Sequence, residues 1–257
     1  MRTLKIVVLI VFLFCSLTAE ADIFYGSFVD FPMTFGAVLG PSFLPNVNLK
    51  IQIERTGVLQ DIADTSVSLG WPSAEVGLTF GGFFPGFPYV AAELDLYGGS
   101  LSIKKNDLTE FNFVYWGPGL TPTFEGVEGA MYCYNSSLSL LLQIPGAQVR
   151  PYAGAGVLLS VGVPLTNISV NYSVVTSSGT QYLIFERTMG GSAVSLGWLF
   201  KVGIDLLIWG NSGLFVEYRQ DFVNYEFRQK REGFYDIVVL NMNTAHLVLG
   251  ARVFVRG

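Results

Sequence analysis

Apolar and polar side chains alternate with period two through segment after segment of this chain, and short clusters of glycine, proline and asparagine separate the segments. Such alternation places successive side chains on opposite faces of a strand. Residues 195–209 show it well, with Trp198, Phe200, Val202, Ile204, Leu206 and Ile208 against Gly197, Leu199, Lys201, Gly203 and Asp205. After the turn Gly210-Asn211-Ser212-Gly213, Leu214, Val216, Tyr218 and Phe222 oppose Glu217, Arg219 and Asp221. Residues 131–144 set Tyr132, Tyr134, Leu138, Leu140 and Leu142 against Cys133, Asn135, Ser137, Ser139 and Gln143. The turn Pro145-Gly146-Ala147-Gln148 leads into 149–163, and Pro85-Gly86-Phe87-Pro88 joins 74–84 to 89–101. The last strand is read over 244–255.

The spacing of these turns predicts the topology. Three tight turns alternate with long connections at about residues 102–128, 164–192 and 226–242, the pattern of a membrane barrel with short turns on one side and long loops on the other. With both termini on the short-turn side, eight strands follow, and one must precede Ala74. Residues 23–38 are preferred for it, with 47–54 placed in a long first loop; ten strands would need a third segment that the sequence lacks. In the connection 164–192, the alternating halves 168–175 and 182–186 predict a hairpin standing above the membrane.

Composition turns an all-β pattern into a transmembrane one. Hydrophobic residues make up 51% of the chain and charged ones 14%, against about 25% charged in soluble domains. No segment after the N-terminus accumulates the roughly 20 apolar residues of a spanning helix; between Arg150 and Glu186, Gly154, Gly156, Gly162, Pro164, Asn167 and Asn171 interrupt the best stretch. In hydrocarbon, backbone polar groups must then be satisfied in a closed sheet, an antiparallel up-and-down β-barrel. Arg2 and Lys5, the apolar run 6–17 and Ala19-Glu20-Ala21 form a signal peptide over 1–21, leaving 22–257 as one barrel domain with long extracellular loops in a cell outer membrane. Cys15 leaves with the signal, so Cys133 has no disulfide partner. The net charge of −5 without a basic cluster argues against nucleic acid as a partner.

Three motifs carry a family resemblance: Arg150-Pro151-Tyr152-Ala153-Gly154-Ala155-Gly156 after a tight turn, Gly197-Trp198 followed by Val202-Gly203-Ile204-Asp205, and Val216-Glu217-Tyr218-Arg219. With these the chain resembles the outer membrane protein A-like barrels over roughly residue 73 to the C-terminus, and its fifth strand is similar to that of the outer membrane protein W-like branch. The resemblance implies an eight-stranded barrel and identifies architecture better than activity. Gly250, Val253 and Val255 match the C-terminal signal read by the outer-membrane assembly machinery, although family members usually end on Phe and this chain adds Arg256 and Gly257.

Inside an eight-stranded barrel there is room for little beyond side chains. The inward parity collects Glu75, Glu93, Asp95, Asp205, Glu217 and Asp221 with Arg150, Lys201, Arg219 and Arg252, which predicts an ion-paired, plugged lumen. Phe84, Trp198, Phe222 and Tyr225 are assigned to aromatic girdles at the membrane surfaces. His246 is the single histidine and faces inward, but no serine lies two residues from it on that face, so a lipid-modifying barrel enzyme ranks third. The expected role is structural or surface interaction, with membrane lipid and an extracellular ligand of the loops as partners and no metal or cofactor. A narrow porin or a channel for small hydrophobic molecules is the runner-up.

Overall fold

The computed structural model describes residues 33–43, 47–55, 57–67, 73–84, 87–105, 112–113, 120–144, 148–176, 183–189, 191–209, 212–231 and 233–255. The expected signal peptide, 1–21, lies outside the described residues. So does the first part of the expected 23–38 strand.

Among the described residues twelve strands form one sheet: β1 (Met33–Phe43), β2 (Val47–Arg55), β3 (Val58–Val67), β4 (Ser73–Phe84), β5 (Phe87–Lys105), β6 (Asn112–Phe113), β7 (Leu120–Gln143), β8 (Val149–Thr176), β9 (Leu183–Met189), β10 (Ala193–Trp209), β11 (Ser212–Arg231) and β12 (Phe234–Val255). Eight of them close a ring in the order β1-β4-β5-β7-β8-β10-β11-β12, and β1 returns to pair with β12. Every pairing is antiparallel, and the eight-stranded ring closes on itself as an up-and-down barrel.

The first strand is Met33–Phe43, in register with β12 from Met33↔Val255 to Phe43↔Ala245 and with β4 from Met33↔Gly82 to Ser42↔Ser73. Residues 47–54 fall in the first connection, as expected, but as a strand: β2 continues upward along the outer half of β12 and turns at Gly57 (φ 78°) into β3. The other long connections shorten in the same way. The expected loop 226–242 is a continuous hairpin, since β11 and β12 stay paired to Arg231↔Phe234 around Gly233 (φ 80°). The reason lies in the side chains. Glu226, Arg228 and Lys230 face solvent on one parity while Tyr225 and Phe227 are buried on the other, so the polar parity that resembles a loop is the wet face of a strand. The 168–175 hairpin is present as β8 paired with β9, from Ile168↔Met189 to Val174↔Leu183.

Burial is inverted relative to a soluble protein. Leu142 is 66% exposed on the outer wall, whereas Lys201 in the interior is 0% exposed. Only an apolar solvent makes that arrangement favourable, because exposed leucines cost free energy in water and buried charges need partners anywhere. Among the described residues no helix is long and apolar enough to cross a membrane.

The inward glycines make room for rings. A Cβ on Gly203 would stand 2.5 Å from the Tyr152 ring and 2.8 Å from the Val216 carbonyl oxygen. The Phe215 ring lies equally close over Gly250. These aromatic side chains fill the bore from one strand across the backbone of the next.

Candidate functional site: the closed lumen and the opening in its wall

Each inward charge is delivered by the strand alternation, and the interior sorts into two chains of alternating sign. In the first, Asp205 Oδ1 meets Arg252 Nη1 at 2.9 Å, Arg252 Nη2 meets Glu93 Oε2 at 2.6 Å, and Lys201 Nζ lies 2.6 Å from Glu93 Oε1 and 2.8 Å from Asp95 Oδ2. In the second, Arg219 joins Glu217 (2.9 Å) to Glu75 (3.2 Å), and His246 joins Glu75 (Nδ1–Oε2, 2.6 Å) to Asp221 (Nε2–Oδ2, 3.1 Å). Neutral donors occupy further carboxylate oxygens: Gln143 Nε2 donates to Asp205 (2.5 Å), Ser137 to Asp95 (2.8 Å), Tyr152 to Glu217 (2.9 Å) and Tyr97 to Asp221 (2.7 Å). Arg219 also lies 4.3 Å from the centre of the Tyr97 ring, and Arg252 4.5 Å from that of Phe215. Every residue of both chains is buried.

Nine of the residues expected in the lumen network stand in these two chains; Arg150 is buried too, opposite Asp205 in the β8–β10 register and with its guanidinium over the Phe254 ring. Sequence reasoning left out His246, Tyr97, Tyr152, Gln143 and Ser137 as members. Their shared inward parity with the carboxylates was the available signal. A carboxylate oxygen thus lies against each ring nitrogen of His246, Glu75 at Nδ1 and Asp221 at Nε2. Among the described residues no group of histidine, cysteine and carboxylate side chains could hold a metal ion.

Above the second chain the interior changes character. Met131, Val223, Phe227, Ile237, Leu240 and Met242 are buried there, and a cavity of about 30 Å³ lies between the Glu75–His246–Asp221 floor and Leu101, Val223 and Met242. Tyr225 belongs to this region and not to a girdle: it is 2% exposed and hydrogen-bonded to Ser160. The step from Phe222 to Tyr225 spans three residues, so the two rings take opposite faces. Phe222 faces outward and stacks on Trp198 with centroids 3.8 Å apart and planes 10° apart. Trp198 is 54% exposed, and Phe84 is exposed at the opposite end of the barrel.

Among the described residues the wall is not continuous at the Trp198–Phe222 level. The β10–β11 ladder runs from Trp209↔Ser212 up to Trp198↔Phe222 and ends. Beyond it β10 pairs with β8 and β11 with β12. A cavity of about 510 Å³ opens at this point, lined by Leu196, Trp198, Phe222 and asparagines of β2, β11 and β12, with Val223 and Met242 at its back. Those last two side chains line the lumen cavity as well.

The geometry has a counterpart among solved structures. The outer membrane protein OprG from Pseudomonas aeruginosa matches with a TM-score of 0.51 and 11% identity, over 88% of this chain and 97% of that one. The fold is that of an outer membrane β-barrel. Neisserial surface protein A (14% identity, 86% of this chain, 96% of that chain, TM-score 0.38) and the outer membrane protease OmpT from Escherichia coli (9%, 87%, 96%, 0.47) also match. No protein-family model and no curated protein matches the chain.

Of the C-terminal positions expected to be read during assembly, Gly250 packs beneath Phe215 and Val253 is exposed on the outer wall. Val255 ends the ladder opposite Met33.

Proposed function

We propose that this chain is an integral outer-membrane barrel whose lumen is closed to ions and whose work is done by the wall that rises beyond the lipid. The carrying observation is the pair of ion chains, which tie β5, β10 and β12 together in one and β4, β11 and β12 in the other, directly across the bore. A permeating ion would have to separate buried, mutually satisfied charges, which costs several kcal/mol per pair broken. The surface role follows from length. A strand crosses a bilayer in roughly 9–11 residues; β8 has 28 and β12 has 22. The excess stands on the side of the long hairpins as a rigid scaffold for contact with an extracellular ligand. Planar-bilayer recording of the purified barrel tests closure: a flat baseline is expected, and stepwise openings would overturn it.

A second reading is supported by the opening between β10 and β11. A small hydrophobic molecule entering the apolar outer interior would leave sideways past Val223 and Met242, above the ion chains and without passing through them. Replacing Val223 with Trp would then slow uptake of such a molecule into proteoliposomes, while an unchanged rate would remove this route.

A further inference from the structure

The cavity outside the wall opening has two unlike sides. Its β10 side is apolar: Leu196, two residues beyond Trp198 as Asn224 is beyond Phe222, is 80% exposed, and the Trp198–Phe222 stack forms the sill. Its other side, above the sill, is a row of amides in register across three strands, Asn224 opposite Asn241 on β12 and Asn241 opposite Asn48 on β2. One step below, Asn243 stands opposite Phe222 and accepts a hydrogen bond from Gln220. Among the described residues no charged side chain lines the cavity.

Those features select an occupant. Exposed aromatic rings of a membrane barrel mark the level where acyl chains give way to headgroups, so a molecule seated here has its tail against the Trp198–Phe222 stack and its head against the asparagines. A phosphate or a quaternary amine would find no counter-charge. A neutral polyhydroxyl head needs none, and the amides of Asn224 and Asn241 each present two donors and an acceptor to hydroxyls that do both. We infer that the opening between β10 and β11 is a binding site for the uncharged sugar headgroup of an outer-leaflet glycolipid. The inference rests on the reading of this chain as a membrane barrel with its hairpins outside.

The test uses the full barrel in detergent, with lipid retention read by native mass spectrometry. A galactosyl diacylglycerol, a phosphatidylcholine with the same acyl chains and free galactose are offered separately. The galactolipid is expected to be retained about tenfold better than the phospholipid, the preference that one or two net hydrogen bonds confer. Free galactose is expected to bind too weakly to be retained, which assigns the head to a lipid. In the double variant Asn224→Leu, Asn241→Leu that preference should vanish. Equal retention of both lipids by the wild type would overturn the inference whatever the variant does. So would an unchanged preference in a variant that folds. Gel mobility with and without heating, run on the same samples, reports the barrel itself, so failure of the membrane-barrel reading is seen separately.

Discussion

At the residue scale, Lys201 is where the proposed closure of the lumen is most open to test. Its ammonium is the one cation within bonding distance of both Glu93 and Asp95 among the described residues, and it is wholly buried. Lys201→Met keeps the stem but leaves two carboxylates in the bore short of a partner, although Arg252 still holds Glu93 and Ser137 still holds Asp95. Breaking one side of such a pair costs on the order of 3–5 kcal/mol. The expected outcome is a fall of that size in the denaturant stability of the compact form, read from its gel mobility. The triple variant Glu93→Gln, Asp95→Asn, Lys201→Met removes the charges together and should recover most of the loss, since matched neutral groups carry no desolvation debt. A triple variant no more stable than Lys201→Met would show that the charges do not act as a unit.

At the element scale, legibility tracked the solvent on each face. Where one face met lipid and the other the lumen, alternation was plain, so β4, β5, β7, β8, β10 and β12 were readable near their membrane segments. Where the outer face met water, polar residues such as Glu226, Arg228 and Lys230 broke the apolar signal, and the outer half of the β11–β12 hairpin read as a loop. Tyr225 reads as a girdle residue for the same reason, because beyond Phe222 the polar outer face hides the alternation that turns its ring inward. The inward charges were legible from parity, but which acid met which base was not, because partners such as Glu93 and Arg252 are 159 residues apart and are joined only by ring closure. The outer hairpin has an apolar inner face of its own, including Phe227, Ile237 and Leu240. Ile237→Ala with Leu240→Ala should therefore loosen that hairpin without opening the ring. Trypsin cleavage after Arg228, Lys230 or Arg231 would rise, while the heat-modifiable mobility of the barrel stays. Loss of that mobility at the same time would mean that hairpin and ring unfold together.

For the whole molecule the decisive contact is between its two ends. β1 pairs with β12 and with β4 along nearly its full length, so it alone converts seven strands into a ring. β2, though continuous with β1 in direction, pairs along the outer half of β12 and with β3. The two segments should therefore differ in kind. Replacing residues 33–43 by a glycine–serine stretch of equal length exposes the edges of β4 and β12, which lipid cannot satisfy, and no compact, heat-modifiable form is expected. Replacing 44–72 by a tight turn is feasible because Ser42 and Ser73 already face each other in register. That shortened chain is expected to keep the compact form, since every ring ladder survives. If the shortened chain failed as completely as the one without β1, closure would depend on the outer hairpins, and the division between a membrane ring and the scaffold it carries would have to be abandoned.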